Sequence, residues 1–324
     1  MLYCFFVIAQ SLFYQPHEEK HFVKWMRENN KMYTGDDYNF RFSVFLTNVR
    51  YIEEFNAKND ATFKLGVNKF AAYTRKEYQA LLGVKPRNYE QHSREETFYQ
   101  PKLKSIPASV DWREKGIVQE IRDQGMCGSC WAFSAVAAQE SQWALVKGEV
   151  LHLSEQNLVD CMWNCENCEG GWPDAATNQV ISDQGGKWML DSDYPYKGKY
   201  SSECYYDESK AVSQTTRLLY AVMCNETDMA VKCAEYGVLS ACIEAGDIEF
   251  EYYTSGIYKN DNCSPWGLDH AIDIVGYGTE EGTDYWLVRN SYGTSWGLDG
   301  YIKMIRNYDG NCGIDMSVYV PIVQ

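Results

Sequence analysis

The residues from Asp123 to Ala135 read DQGMCGSCWAFSA and place Cys127 and Cys130 three positions apart. That spacing suits a redox dithiol, half of a zinc site, or a structural cysteine beside a reactive thiolate. The residues from Trp131 onward, WAFSAVAAQESQWALVKG, are apolar nearly all round and end at Lys147-Gly148, which predicts a buried helix with an ordinary stop. Gly125 and Gly128 predict a tight loop before it. Cys130 therefore falls at the helix start, where unpaired N–H groups and the positive end of the dipole favour a thiolate. A nucleophilic thiol needs a base. Of the five histidines, His17, His21 and His92 lie in a basic N-terminal segment, leaving His152 and His270. His152 adjoins the helix-start pattern SEQ and reads as structural. His270, in GLDHAIDIVGYG, opens a strand-like run that can present its ring at a cleft mouth. A third group must orient that ring. Asn290 stands at a strand end in DYWLVRNSYGTSWG, but spacing alone does not choose it over Asp269 or Asp273.

The elements that must hold these residues divide the chain in two. Its 324 residues, 45% hydrophobic and 23% charged, suffice for one large or two medium globular domains. Residues 17–85 read as helical. Phe22, Trp25 and Met26 form one apolar face; Phe42, Phe45, Val49, Ile52 and Phe55 form a second. TRKEYQALLGVKP predicts a third helix stopped by Gly83 and Pro86. A polar stretch from about 88 to 105 reads as a linker. From Gln10 to Ser105 there are 16 Lys+Arg against 12 Asp+Glu, a net of +4; the remainder to Gln324 holds 14 against 33, a net of −19. A basic helical piece before an acidic, cysteine-rich piece suggests a detachable partner held partly by charge. The total of −15 argues against a nucleic-acid or anionic-membrane surface.

Residues 1–9, MLYCFFVIA, read as a secretory signal, against the alternative of a buried N-terminal strand. Removing Cys4 from the twelve cysteines leaves an odd number, for which five pairs and one reactive thiol is the simplest account.

QGMCGSCWAF, LDHAIDIVGYG and WLVRNSYGTSWG, in that order, resemble the papain family of cysteine proteases, of the cathepsin L-like kind, whose cysteine motif lies near the mature N-terminus with His and Asn far downstream. IPASVDWREKG is similar to the start of a mature enzyme. Arg41, Val44, Phe45, Asn48, Ile52, Asn56, Gly66, Asn68 and Phe70 resemble the propeptide pattern of that subgroup. The resemblance implies an α+β, papain-like two-domain fold with a helical left domain and a β-barrel-like right domain. A helical inhibitory propeptide (10–105) would precede the mature domain (106–324) and run backwards through its cleft. It implies Cys130 as nucleophile, His270 as its partner, Asn290 as the orienting amide, and Gln124 with the Cys130 backbone N–H as oxyanion donors. The implied substrate residues are Gly170 and Gly171 for backbone contact, and Trp172, Pro173, Cys242, Leu268 and Ser317 around an apolar pocket. That pocket, with no charge expected at its floor, would read the second residue upstream of the cut and prefer Leu, Phe or Val over Arg; Trp296 is carried over as a further substrate-binding residue. Implied disulfides are Cys127–Cys168, Cys161–Cys204 and Cys263–Cys312. Cys242 would be a buried thiol, and Cys165 a candidate to bridge Cys224 or Cys233.

Such an enzyme is a zymogen-derived endopeptidase needing neither metal nor cofactor. Its partners would be protein or peptide substrates, its own propeptide and cystatin-type inhibitors. It would be a monomer, in a lysosome-like vesicle or outside the cell. Four positions depart from the pattern: Tyr292 in place of Trp over the His–Asn pair, Asn167 in place of Gly, Asp37 in place of Glu, and Ala72 in place of Asp. Three other readings compete. A thioredoxin-like oxidoreductase would not need Gln124, His270 and Asn290; a zinc protein would join CENC to CGSC; a catalytically weak homologue would only bind.

Overall fold

The computed structural model describes residues 14–87, 103 and 105–323. The expected signal segment and the middle of the expected linker lie outside the described residues. The N-terminal segment contains α1 (Pro16–Glu28), α2 (Gly35–Lys58), β1 (Phe63–Leu65) and α3 (Arg75–Gln79). Helices α1 and α2 pack through Phe22, Trp25, Phe42, Phe45 and Val49, the two faces expected from their spacing. Asn48 ties the following loop down by donating to the carbonyls of Ala71 and Tyr73, at 3.0 and 3.1 Å. Arg41 makes a bidentate pair with Glu77 at 2.7 and 2.6 Å.

Two expectations for this segment need correction. Residues 63–65 are a strand, because their backbone pairs antiparallel with Tyr253–Gly256 instead of with its own neighbours. The third helix ends at Gln79, well short of the Gly83 stop. Beyond one turn, the carbonyls of Leu81, Gly83 and Lys85 are taken by groups of the C-terminal part. Those bonds leave no role for a helical ladder.

The C-terminal part begins with β2 (Val110–Asp111), followed by α4 (Cys130–Lys147), α5 (Glu155–Cys161), α6 (Pro173–Asp183) and β3 (Lys187–Met189). Then come β4 (Ala211–Gln214), β5 (Arg217–Tyr220), α7 (Glu226–Tyr236), β6 (Leu239–Ile243), α8 (Ile248–Glu251) and β7 (Tyr253–Tyr258). The chain closes with β8 (His270–Glu280), β9 (Thr283–Arg289), β10 (Tyr301–Ile305) and β11 (Val318–Ile322).

Helix α4 is buried along most of its length, as its apolar sequence requires, and stops where Gly148 adopts φ +69° and donates to the carbonyl of Ala144. Trp131, Ala135, Leu158, Val180 and Trp188 form the core of this helical half. The other half is a sheet ordered β1-β7-β10-β9-β8-β6-β11-β5, with β2 added to β8. All pairings are antiparallel except β7 with β10. The site forms where the start of α4 meets the start of β8 and the end of β9.

Candidate active site

Cys130 is the first residue of α4 and is fully buried. The loop before it is stapled by the Cys127–Cys168 disulfide and by the Gly128 N–H donating to the Cys168 carbonyl at 2.9 Å. That bond removes two cysteines from the four a CENC–CGSC zinc site would need and excludes a Cys127–Cys130 dithiol. The other two disulfides are Cys161–Cys204 and Cys263–Cys312. Cys130, Cys165, Cys224, Cys233 and Cys242 keep their thiols, so the expected five pairs are three, and Cys165 bridges neither Cys224 nor Cys233.

Gln124 anchors the loop to the sheet half. Its N–H donates to the Ser291 carbonyl at 2.9 Å, and its side-chain oxygen accepts from Ser291 Oγ at 2.6 Å.

His270 begins β8, and its Nε2 lies 2.8 Å from Asn290 Oδ1. The Ser291 N–H also donates to that Oδ1 at 2.8 Å, which fixes it as the oxygen. Nε2 is therefore the donor, and a neutral ring carries its lone pair on Nδ1, which has no hydrogen-bond partner among the described residues. The choice spacing left open is resolved by contact. Asp269 accepts from the Ala245 N–H at 2.7 Å, and Asp273 faces Arg289 at 3.9 Å. Tyr292 stacks on the imidazole with centroids 4.9 Å apart, roofing the Asn290 bond. The N–H of Ala271, the residue after His270, donates to Cys130 Sγ at 3.4 Å and ties the thiol to the start of β8. Burial pushes the Cys130 thiol up to about 11, against the pull of nearby N–H groups, and lowers His270 to about 4. His152 sits on the surface, 3.3 Å from Arg122, away from this cluster.

Residues 81–87 cover the site. Gln124 Nε2 donates to the Leu81 carbonyl at 2.9 Å, and the Gly171 N–H donates to the Gly83 carbonyl at 2.7 Å. Val84 donates to the Asp269 carbonyl at 2.9 Å, and Trp172 Nε1 donates to that of Lys85 at 2.9 Å. A Cβ on Gly83 would lie 1.9 Å from the Gly128 oxygen, so only glycine passes there. Gly170, at φ +135°, leaves room for the same chain: its Cβ would stand 2.7 Å from the Gly83 oxygen. Gly171 is glycine for a packing reason, since its Cβ would press on Cys165 and Trp131 at 2.7 and 2.8 Å.

The Val84 side chain fills an apolar pocket formed by Trp172, Cys242, Leu268, Ala271 and Met316 around Cys130. Pro173 opens α6 at the pocket's edge. Ser317 Oγ accepts from Arg87 at 3.3 Å. Trp296 falls elsewhere, wholly buried behind Tyr292 and donating to the Glu251 carbonyl at 3.1 Å. Sequence reasoning missed Ala271 and Met316, each adjacent to a residue it named. It also missed Asp174, whose oxygens lie 3.2 Å from the same Arg87 and place a charge beside Ser317. The order Trp172-Pro173-Asp174 was the available signal.

A thiol, an amide-oriented imidazole and a side-chain amide holding a peptide carbonyl define a thiol hydrolase, here with a segment of its own chain across the site. Comparison with known proteins agrees. Residues 106–322 match the papain family cysteine protease description, and residues 22–78 match the cathepsin propeptide inhibitor domain. The chain belongs to the papain family of cysteine proteases and carries its inhibitory propeptide. Digestive cysteine proteinase 3 of Homarus americanus is 42% identical over 293 residues, covering 88% of each chain. Cysteine proteinase 3 of Dictyostelium discoideum is 36% identical over 324 residues, covering 98% of this chain and 95% of its own. The solved digestive procathepsin L2 proteinase from Tenebrio molitor larval midgut superposes with a TM-score of 0.87 at 34% identity, over 94% of this chain and all of that one. The protein is a cysteine-type endopeptidase in zymogen form.

Proposed function

We propose that Cys130 and His270 cleave peptide bonds through an acyl-enzyme, with a preference for an apolar residue second upstream of the cut. His270 Nδ1 takes the Cys130 proton, and the thiolate attacks the scissile carbonyl carbon. The oxyanion is met by Gln124 Nε2 and the Cys130 N–H. The C–N bond breaks as His270 returns the proton to the leaving amine, and water then hydrolyses the thioester. Asn290 holds the ring in the tautomer this sequence needs. The observation that carries the reading is the Gln124 amide already holding a peptide carbonyl, that of Leu81. Val84 in the apolar pocket supports the preference for Leu, Val or Phe.

In this reading, residues 1–9 are a signal, 10–105 the propeptide and 106–324 the mature monomer. Three disulfides support a destination in the secretory pathway, a lysosome-like vesicle or the exterior. Cystatin-type proteins that occupy the same cleft would inhibit it.

The test is cleavage of a peptide library by acid-activated wild type beside Cys130→Ser. The expected result is cleavage after apolar-X pairs by wild type alone. Equal activity in the variant ends the proposal.

A further inference from the structure

The loop between β5 and α7 carries a motif that neither the catalytic cluster nor the apolar pocket uses. Asn225-Glu226-Thr227 has the Asn-X-Thr form that accepts an N-linked oligosaccharide in a chain passing through the secretory pathway. Asn225 caps α7, its Oδ1 accepting from the Asp228 N–H at 2.9 Å. Its Nδ2, the atom a sugar would join, has no hydrogen-bond partner among the described residues. A sugar on Nδ2 leaves Oδ1 in place to keep the cap. Glu226 is held against the sheet, where its Oε2 accepts from Trp286 Nε1 at 2.7 Å and from the Asn307 N–H at 2.9 Å. Thr227 is exposed. A second triplet, Asn262-Cys263-Ser264, has its middle residue in the Cys263–Cys312 disulfide and its serine confined by Pro265.

The residues just before Asn225 give a glycan something to cover. Val222 and Met223 are 43% and 50% exposed. Cys224 follows them, and of the described cysteines that keep their thiols it alone is exposed; Cys130, Cys165, Cys233 and Cys242 are buried. In an oxidising compartment, an exposed thiol beside apolar side chains invites disulfide exchange with other chains. The Cys224 sulfur also lies 3.5 Å from that of Met316, which packs in the pocket around Cys130. A protein linked to Cys224 would therefore bear on the pocket wall.

We propose that Asn225 carries an N-linked oligosaccharide and that this glycan screens Cys224 from other proteins. In the transfer, Nδ2 bonds to the anomeric carbon of an oligosaccharide held on a lipid diphosphate. The carbon–oxygen bond to the diphosphate breaks, and one amide proton passes to the transferring enzyme. The bulky, hydrated chain then starts one residue from the thiol. The inference rests on the secretory reading above and is independent of the pocket's specificity.

The test uses the full zymogen secreted by a eukaryotic host, native and as Thr227→Ala, which removes the triplet and keeps the Asn225 cap. Peptide mapping should find the Asn225 peptide glycosylated in the native chain and bare in Thr227→Ala. A polymer-conjugated maleimide should label Cys224 several-fold faster in Thr227→Ala, while iodoacetamide, small enough to pass a glycan, labels both at the same rate. If Thr227→Ala does not fold, native zymogen treated with peptide N-glycosidase takes its place; that treatment leaves an aspartate, an equally good cap. A bare Asn225 in a secreted chain with its three disulfides formed overturns the inference and leaves the secretory reading standing. A maleimide rate that is unchanged without the glycan, or that changes only as the iodoacetamide rate does, overturns the screening. A chain that is neither secreted nor disulfide-bonded overturns both readings.

Discussion

Burial holds His270 and Cys130 away from the charge states that the proposed mechanism needs. With the imidazole at about 4 and the thiol at about 11, the pair between those values is a neutral ring and a neutral thiol. In the proposed mechanism, departure of residues 81–87 would readmit water, raise the ring, lower the thiol and let the ion pair form. Iodoacetamide labelling of Cys130, followed by peptide mapping, should be slow in the zymogen at neutral pH and climb only toward pH 11. In the mature enzyme it should be fast at neutral pH. Similar labelling in the two forms would contradict the burial account. In the proposed mechanism Asn290 acts through the ring alone. Asn290→Ala should lower kcat by about 10²-fold with little change in KM, and should move the pH–rate profile. A loss confined to KM would assign Asn290 to substrate binding instead. The stacked Tyr292 ring keeps water from the Nε2–Oδ1 bond as a larger indole would. Asn167 adopts φ +55°, the left-handed region that Asn tolerates where glycine is the family's residue.

Among the elements, α1, α2 and α4 were legible because each buries a stripe or cylinder of its own apolar residues. Strand β1 and the stretch 81–87 were not. Their conformation is set by backbone groups of a partner far along the chain, and neither periodicity nor turn residues record that. Gly83 was read as a helix stop, yet its role is to pass a carbonyl oxygen. Gly83→Val should lift the cover from the site, and the intact zymogen at neutral pH should show peptidase activity about one to two orders of magnitude above the native zymogen. A variant zymogen as silent as the native one would show that the close approach at Gly128 does not hold the cover down. That Cys130, His270, Asn290 and Gln124 converge was legible residue by residue from their motifs. The polar end of the pocket was not, because Asp174 looks like an ordinary first-turn acid of α6 until Arg87 is seen against it.

In the molecule as a whole, the charge imbalance seen in the sequence becomes specific contacts. Lys69–Asp123 at 2.7 Å, Arg75–Glu251, Lys85–Glu166 at 3.7 Å and Arg87–Asp174 at 3.2 Å join the two parts. In each of these pairs the cation belongs to the propeptide. Two acids respond to pH with opposite sign. Burial raises Glu251 to about 7, so the closed form takes up that proton more readily, and acid favours closure at this one position. Glu77, bonded to Arg41, is lowered to about 2; its contribution is present above the ordinary carboxylate range and is lost as pH falls toward 2. Ala72 carries no carboxylate and is fully buried. Of these two acids, Glu77 is the one through which acid would loosen the propeptide. Glu77→Gln should flatten the pH dependence of zymogen activation between about pH 5 and 3 and raise the neutral-pH rate. An unchanged profile would remove Glu77 from the switch.

Strand β1 is the outermost member of the sheet and lies against β7. When the propeptide is cut away, the backbone donors and acceptors of residues 253–256 lose their partners at an open sheet margin. The inhibitor is thus also a cover for a template on which another extended chain could dock, including that of an unfolded neighbour. Maturation uncovers a reactive thiol and an adhesive strand in the same event, so crowded storage is safest before the cut.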